Sequence, residues 1–346
     1  MPSLKKIFYL FIFFVLFGTL TVAWLFFSSA TDFNDERQTL LIRTGSSFED
    51  VMEQIENEKI VKYPDVFKWA ATLLKYPQRV KPGRYVIKAD ENLYNIIRML
   101  RNGSQTPVNL VINKLRTKED FAQKIANNFE CDSAEVIHFL YNEDSLKKFG
   151  ADTNTIITKI IPNTYSILWN TSFSKIIRKL VAEHDKFWTD ERKQKANALN
   201  LTEVQVYTLA SIVEEETNRE EDKGKIASVY LNRLETGMRL GADPTVKYAM
   251  RNFALKRIYE KHLSYNSPYN TYQNPGLPPG PICTPSIKTI DAVLNAPSTA
   301  YLFFVAKPDF KGYSNFAVTY EEHLRYAKAY QQALDSLMSR KANAVN

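Results

Sequence analysis

The chain has 346 residues, of which 45% are hydrophobic and 24% are charged, an ordinary globular composition that excludes a disordered or collagen-like protein. A formal net charge of +7 is too small and too evenly spread to indicate nucleic-acid binding. Two cysteines and four histidines without ligand spacing exclude a disulfide scaffold and a four-thiolate zinc site, so we expect no metal and no cofactor. The length predicts two or three domains.

The N-terminal segment carries no charge from Ile7 to Thr31. Its apolar part, Ile7–Phe27, would form a helix of about 31 Å, enough to cross a hydrocarbon layer of about 30 Å. Lysines precede it and acidic residues follow, so the positive-inside rule predicts a cytoplasmic N-terminus and an exported remainder. A cleaved signal peptide with Ser28 and Ala30 at its cleavage site is the alternative, but the apolar stretch is long for one. We expect a single-pass anchor in the inner (cytoplasmic) membrane.

Strand and helix patterns alternate in the next segment. Ser47 followed by Asp50 predicts a helix start, and Gly103 predicts a helix end. The strand–helix–helix–strand order is typical of small glycan-binding LysM modules, so a LysM-like module is one interpretation and a structural spacer is the other. In chain order, the elements are a strand at 40–43, a helix with Phe48, Val51, Met52 and Ile55 on one face, a helix at 64–74 carrying Phe67, Trp69, Ala70 and Leu73, a strand at 83–88 and a helix at 91–103.

A weaker copy of this pattern follows, with a strand and then a helix that Thr117 and Asp120 begin. We interpret it as a link to the rest of the chain rather than as a third domain. The pattern from 133 to 195 is helical with one proline break. In an oxidising compartment Cys131 and Cys283 could pair, although the sequence does not place them within reach of each other.

The most informative stretch, from Leu201 onward, begins with a helix for which Thr202 and Gln205 predict a capping box. On a helical wheel Glu216 lies at the C-terminal end of the apolar face. Glu214 and Glu215 point away from that face, and we expect them to be solvated. Four apolar residues define the face, namely Val206, Leu209, Ile212 and Val213.

Glu216 is therefore a candidate for acid catalysis. Burial disfavours the charged form of a carboxyl group and raises its pKa, which is the property that a general acid needs near neutral pH. A buried ion pair with an arginine such as Arg233 is the alternative, and the wheel does not distinguish the two.

Two more features stand downstream. Asp243 followed by a proline predicts the N-cap and first turn of a helix. Four prolines between positions 275 and 281 predict a rigid loop. Just before this loop, Tyr269, Asn270 and Tyr272 offer flat faces and hydrogen-bonding groups that suit sugar rings, so we expect the wall of a cleft. A surface turn with core tyrosines is the alternative.

Five motifs follow one another in this part of the chain: ASIVEEET at 210–217, ASVYLNRLETGMRL at 227–240, ADPTVKYAM at 242–250, YNTY at 269–272 and GLPPGPI at 276–282. With them the chain resembles the YceG-like family of membrane-anchored endolytic murein transglycosylases, and the resemblance covers nearly the whole sequence. It implies that Glu216, which directly precedes threonine in an E-x-E-T motif, is the catalytic residue. Glu214 is the second candidate, and Thr217 corresponds to the hydroxyl residue after the catalytic glutamate of other lytic transglycosylases.

The resemblance implies a lyase that cuts the bond between N-acetylmuramic acid and N-acetylglucosamine in peptidoglycan strands, leaves 1,6-anhydro ends and limits glycan length. A muramidase that hydrolyses the same bond with Asp243 as its second carboxyl is one alternative, and a non-catalytic membrane-anchored glycan-binding scaffold is the other. The expected supporting residues are Glu214, Thr217, Asp243, Thr245, Tyr269, Asn270 and Tyr272.

We therefore expect an α+β protein with a single transmembrane helix, a LysM-like α/β module and a mainly helical catalytic domain with small strands. Its expected partners are peptidoglycan glycan strands, with cell-wall synthases and division or elongation proteins as candidates, and not nucleic acid. The expected domains are a cytoplasmic tail at 1–6, the transmembrane helix at 7–28, a juncture and LysM-like module at 29–105, and a linker subdomain with the catalytic domain at 106–346.

Overall fold

The computed structural model describes residues 4–343, which form a mixed fold of mostly helices and so confirm the expected class. The helices are α1 Leu4–Phe27, α2 Phe48–Asn57, α3 Pro64–Leu73, α4 Leu93–Asn102, α5 Lys118–Asn128, α6 Ser133–Leu140, α7 Glu143–Lys147, α8 Phe173–Phe187, α9 Asp190–Ala198, α10 Glu203–Glu216, α11 Glu220–Glu235, α12 Asp243–Ala249, α13 Glu260–Leu263, α14 Ile287–Leu294 and α15 Tyr320–Asn343. The strands are β1 Arg37–Ile42, β2 Gly83–Lys88, β3 Val108–Val111, β4 Thr164–Ile167, β5 Phe303–Ala306 and β6 Ser314–Ala317.

Two compact units make up the chain. The first contains the chain up to Leu110 together with Asn128–Cys131 and Ser166–Ser172. The second contains Val111–Asn127, Asp132–Tyr165 and the chain from Phe173 onward. Two short returns of the chain therefore complete the first unit.

Helix α1 is long and apolar enough to cross a membrane, which confirms the predicted N-terminal helix. Nearly all of its side chains are exposed, whereas Phe26 is buried in the core of the first unit. The chain is hydrogen-bonded to the rest of the first unit three residues after α1. Ala30 donates its N–H to the carbonyl oxygen of Glu91 and accepts a hydrogen bond from the N–H of Lys62, both at 2.9 Å. The apolar surface of α1 indicates membrane anchoring.

The first unit has the expected element order. Strands β1 and β2 pair antiparallel, with Leu40 opposite Tyr85, and Ser47 and Asp50 form the predicted capping box of α2. The four predicted apolar residues of α2 are buried. On α3, however, Trp69 is 49% exposed and Leu73 is 62% exposed, so the expected apolar face of this helix is only partly covered.

Helix α10 lies at the centre of the second unit. Every residue from Val206 to Val213 is buried, because α9, α11, α12 and α14 all pack against this helix. The expectation of a single buried face was therefore wrong: Thr208 and Ser211, which are not among the four residues of the predicted apolar face, are about as buried as Leu209. The predicted capping box of Thr202 and Gln205 is confirmed.

The two cysteines belong to different units and are not joined by a disulfide in the described residues. The thiol of Cys131 donates to the carbonyl oxygen of Thr171 at 3.4 Å. The buried thiol of Cys283 donates to the carbonyl oxygen of Ser211 at 3.4 Å, and burial holds its pKa well above the usual range.

Candidate active site

A cleft of about 480 Å³ opens in the second unit at the C-terminal end of α10. Glu216 is the last residue of that helix, and Thr217 after it has extended backbone angles, so the chain turns away and leaves the carboxyl group of Glu216 at the cleft wall. The cleft is lined by Glu216, Tyr230, Arg233, Met238, Arg239, Gly241, Asp243, Tyr272, Phe303, Phe304 and His323.

Glu216 is held by a phenol rather than by a cation. The hydroxyl of Tyr230, a buried residue of α11, donates to Oε1 of Glu216 at 2.7 Å. Burial raises the pKa of Glu216 to about 7; the Tyr230 hydrogen bond opposes the rise, and the charge of Asp243 adds to it. Burial and the charge of Glu216 also raise the pKa of Tyr230 well above its ordinary value. Tyr230 therefore stays a neutral donor while Glu216 titrates.

The ion pair that could have explained Glu216 is not formed. Among residues 4–343, no salt bridge includes Glu216. The guanidinium of Arg233 instead donates Nε to the carbonyl oxygen of Leu302 at 2.8 Å and Nη1 to that of Leu240. Arg233, which lines the cleft, thus joins the residue before β5 to the segment before α12.

Glu214 faces the other side of the helix. Its Oε2 accepts hydrogen bonds from Ser286 at 3.1 Å and from Thr289, and it pairs with the buried ammonium of Lys223 at 3.2 Å. Burial alone would raise the pKa of Glu214, but the Thr289 hydrogen bond and the Lys223 charge outweigh it and hold the pKa below its ordinary value. The expectation of a solvated side chain was wrong because α11 and α14 cover this face.

Glu215 is an ion-pair partner as well. Arg116 binds its carboxylate with two parallel hydrogen bonds, both at 3.0 Å, and Lys114 lies at 3.5 Å. Only 16% of the Glu215 side chain is exposed. This residue was also expected to be solvated, and the cations that cover it lie 99 and more residues earlier in the chain.

Asp243 lies in the cleft but does not cap α12. The N-cap is Ala242, and Asp243 is the first helical residue, directly before the proline. Its Oδ1 accepts a hydrogen bond from the hydroxyl of Tyr272 at 2.7 Å. Desolvation and the charge of Asp243 raise the pKa of Tyr272 above the usual range. Asp243 and Tyr272, expected on separate grounds, therefore form one hydrogen-bonded pair.

Three other expected site residues, Thr245, Tyr269 and Asn270, are not among the residues that line the cleft. Thr245 is buried and donates to the carbonyl oxygen of Ala242 at 2.6 Å. Asn270 is also buried; its amide donates to two backbone carbonyls, and its Oδ1 accepts the N–H of Tyr272 at 3.0 Å. Tyr269 packs its ring on Tyr248 at 4.8 Å. Of the three residues expected to form a wall, Tyr272 is the one that lines the cleft.

Thr217 is the residue directly after α10, and its hydroxyl accepts the N–H of Arg219 at 3.0 Å. The carboxyl group of Glu216 is contacted by Tyr230 instead. The proline-rich loop packs against the helix core, where the N–H of Ile282 donates to Ser211 at 3.0 Å. A Cβ on Gly280 would lie 2.2 Å from the carbonyl oxygen of Asn154, so this close approach requires glycine.

Three residues that line the cleft were not expected from the sequence, namely Phe303, Phe304 and His323. Phe303 and Phe304 come from β5, and His323 comes from α15, stacked on Phe303 at a centroid distance of 5.4 Å. The Nδ1 atom of His323 is buried and has no hydrogen-bond partner among the described residues. Tyr230 was noted only as part of an apolar helix face. No local pattern links these residues to Glu216, although Tyr230 does lie within a recognised motif.

The profile of the YceG-like family matches residues 40–329. This chain belongs to the YceG-like family. The matched range begins within β1 and contains all of the cleft residues named above.

Two named enzymes and one crystal structure are similar to this chain. An endolytic murein transglycosylase of Bacillus subtilis (strain 168) is 30% identical over 306 residues, covering 84% of this chain and 83% of the relative. One from Streptococcus pneumoniae (serotype 2, strain D39) is 27% identical over 317 residues, covering 83% of this chain but 57% of the relative. The crystal structure of a YceG-like protein from Listeria monocytogenes is 27% identical and has a TM-score of 0.58, covering 84% of this chain and 99% of that one.

Proposed function

We propose that this YceG-like protein is a membrane-anchored endolytic murein transglycosylase. It cleaves the bond between N-acetylmuramic acid and N-acetylglucosamine within a peptidoglycan strand and leaves a 1,6-anhydro end, which limits strand length. The similarity to the Bacillus and Streptococcus enzymes supports this activity. The observation that carries it is Glu216, a cleft carboxyl with a pKa of about 7 and a phenol as its partner.

Glu216 is the general acid of the first step. A carboxyl with a pKa near 7 is about half protonated at neutral pH, and the protonated form can donate its proton to the glycosidic oxygen. Because Tyr230 donates to Oε1, the proton is carried by Oε2, the other carboxyl oxygen. As the bond breaks, positive charge develops at C1 of the muramyl sugar, and the carboxylate formed on Glu216 stabilises it.

Glu216 is also the base of the second step. Its carboxylate takes the proton of the C6 hydroxyl of the same muramyl sugar, and that oxygen closes onto C1 to form the 1,6-anhydro ring. The attack is intramolecular, so it has a high effective concentration when water is excluded. One carboxyl group therefore serves both steps, and Glu216 returns to its protonated form.

Asp243 and Tyr272 border the sugar-binding space. Their mutual hydrogen bond occupies one oxygen of Asp243, which favours a positioning role for this pair over activation of water. Phe303 and Tyr272 give the cleft flat apolar faces, on which sugar rings pack. Glu214, Thr217, Thr245, Tyr269 and Asn270 act as supporting residues around this site.

The organisation outside the cleft is part of the same proposal. The protein spans the cytoplasmic membrane once through α1, with its N-terminus in the cytoplasm and the chain after α1 outside. The β1–α2–α3–β2 order supports a LysM-like module within residues 29–105, followed by a linker subdomain and the catalytic domain in 106–346. Cell-wall synthases and proteins of division or elongation are the proposed partners.

The test is the substitution Glu216→Gln in the full chain, incubated with uncrosslinked glycan strands whose ends are then read by mass spectrometry. We expect a rate loss of about 10³-fold or more, because the amide can neither donate nor accept the catalytic proton. Glu235→Gln, the same change at an exposed residue of α11, is the matched control and should keep the native rate.

The product mass separates the alternatives. An anhydro end is lighter by one water than a reducing end, so reducing ends would identify a muramidase. Near-normal cleavage by Glu216→Gln would overturn the assignment of the acid. Strands that bind to the native chain without being cut would favour the non-catalytic scaffold.

A further inference from the structure

A group of aromatic and apolar side chains surrounds the point where α1 meets the first unit. We call Trp24, Tyr63, Trp69, Leu73 and Tyr94 the membrane collar. Trp24, Tyr63, Trp69 and Leu73 are each between 49% and 62% exposed. Elsewhere in the first unit, large apolar side chains are mostly buried in its core. The collar therefore adds exposed apolar surface beside α1, with Tyr94 half-buried; Leu41 and Leu168 of this unit are exposed as well.

The collar is continuous with α1. The ring of Phe26 meets Trp69 at a centroid distance of 5.8 Å, and Phe27 meets Tyr94 at 5.9 Å. Trp24 and Tyr63 also line one cavity of about 330 Å³ beside the last turn of the helix. Because these contacts join rings of α1 to rings of the folded unit, both sets lie at nearly the same level along the helix axis.

The length of α1 sets that level. An apolar helix from Ile7 to Phe27 fills a hydrocarbon layer of about 30 Å, so Phe26 and Phe27 lie at its outer boundary. Trp69, in contact with Phe26, then lies where tryptophan and tyrosine are enriched, at the boundary between acyl chains and headgroups. The backbone hydrogen bonds of Ala30 fix the segment directly after α1 to the rest of the first unit, so Trp69 stays at the level of the membrane boundary.

We propose that the membrane collar inserts into the outer interface of the bilayer, so that the first unit rests on the membrane surface. The occupant of this surface is lipid, because the collar extends a helix that itself needs lipid around it. On α3 the contact is made by Val66, Trp69 and Leu73, which follow an i, i+3, i+7 spacing along one side of the helix. The inference rests on the membrane anchoring in the proposed function and adds a second contact to it.

Quenching of single tryptophans by lipid tests this contact in the full chain reconstituted into vesicles. Lipids brominated near the headgroup end of the acyl chain quench only indoles close to them. One chain keeps Trp69 alone, with Trp24→Phe, Trp169→Phe and Trp188→Phe. A second keeps Trp24 alone, and a third carries Leu41→Trp on the exposed side of β1 with all four tryptophans replaced.

We expect Trp24 and Trp69 each to lose about half of their fluorescence or more, and the Leu41→Trp control about a tenth or less, since only interfacial indoles reach the bromines. Quenching of Trp24 with Trp69 no more quenched than the control would overturn the inference and leave the anchor intact. An unquenched Trp24 would contradict the anchor itself. A Trp69 shielded from both lipid bromine and aqueous iodide would show that a protein partner or a second copy covers the collar, which also overturns the inference.

Trp169 and Trp188 are buried, so replacing them can unfold the chain. A second measurement therefore keeps all four tryptophans as 5-fluorotryptophan and assigns the Trp69 fluorine resonance with Trp69→Phe. Spin-labelled lipids should broaden the Trp69 resonance and leave that of Trp188 sharp. Equal line widths for both would contradict the inference.

Discussion

Two glutamates in the last turn of α10, Glu214 and Glu216, face different sides of the helix and have opposite electrostatic surroundings. On one side, Glu214 receives two hydroxyl donors and the ammonium of Lys223, and its pKa is held below the ordinary value. On the other side, Glu216 receives one phenol, and burial raises its pKa to about 7. The two residues are two positions apart, and both are largely covered by protein.

Burial alone therefore does not make a carboxyl group a catalytic acid. What differs is whether the covering residues replace the hydration of the anion with cations and several donors, as around Glu214, or leave it poorly solvated, as around Glu216. The first arrangement stabilises the charged form and suits a structural role. The second keeps the proton and leaves it at a cleft where a substrate can take it.

Among the substitutions that test this comparison, Glu214→Gln has the largest expected effect, a loss of stability. Lys223 has a side chain only 4% exposed, so removing its buried counter-charge should lower the free energy of unfolding by about 3 kcal/mol. Chemical denaturation of the detergent-solubilised chain measures this loss, and the remaining folded protein should cleave glycan at the native rate.

Glu220→Gln is the matched control, because Glu220 also pairs with Lys223, at 2.8 Å, but is half exposed. We expect it to cost less than about 1 kcal/mol. A folded Glu214→Gln chain that cannot cleave would show that the catalytic role belongs to Glu214.

A second effect, of opposite sign, is expected from Glu216→Gln. The folded state keeps a proton on Glu216 between its ordinary pKa of 4.5 and about 7, whereas the unfolded chain releases it. The native chain therefore loses stability as the pH rises through this window. Removing the carboxyl should stabilise the protein by about 3 kcal/mol at pH 8 and by almost nothing at pH 4. Thermal unfolding at the two pH values measures the difference, and an equal effect at both would contradict the raised pKa.

The smallest expected effect comes from Tyr230→Phe. The Tyr230 hydrogen bond lowers the pKa of Glu216, so its loss should move the alkaline limb of the pH–rate profile to higher pH. We also expect a rate loss of about tenfold at neutral pH, because the carboxyl is no longer oriented. Tyr248→Phe, on α12, serves as the control and should move neither. An unchanged alkaline limb in Tyr230→Phe would show that Tyr230 only fills space.

Local signals were enough for much of the fold. The capping boxes at Ser47 and Thr202 form as expected, and Gly103 adopts the left-handed conformation that ends α4. Strand β2 has the predicted bounds, Gly83–Lys88. These features depend on residues three or four positions apart, or on a single glycine, so a short window of sequence contains all of their causes.

The surroundings of the three glutamates were beyond such a window. Glu215 is covered by Arg116, 99 residues away, and Glu214 by Thr289, 75 residues away. The helical wheel selected Glu216 because it lies at the end of one apolar face. In the structure α10 has no single buried face, since every residue from Val206 to Val213 is buried. The family motif selects the same residue without that assumption. The packing of α11 and α14 gives Glu214 its cation and hydroxyl donors, and Arg116 pairs with Glu215, so the tertiary structure determines which carboxylates are paired.

The backbone bonds that fasten Ala30 directly after α1 have a mechanical consequence. An apolar helix that is longer than the local hydrocarbon thickness tilts to keep its side chains in lipid. Since the backbone of Ala30 is hydrogen-bonded to both Glu91 and Lys62, the rest of the first unit tilts together with the helix. A thinner bilayer therefore changes the angle of the whole first unit, which makes its orientation a readout of membrane thickness.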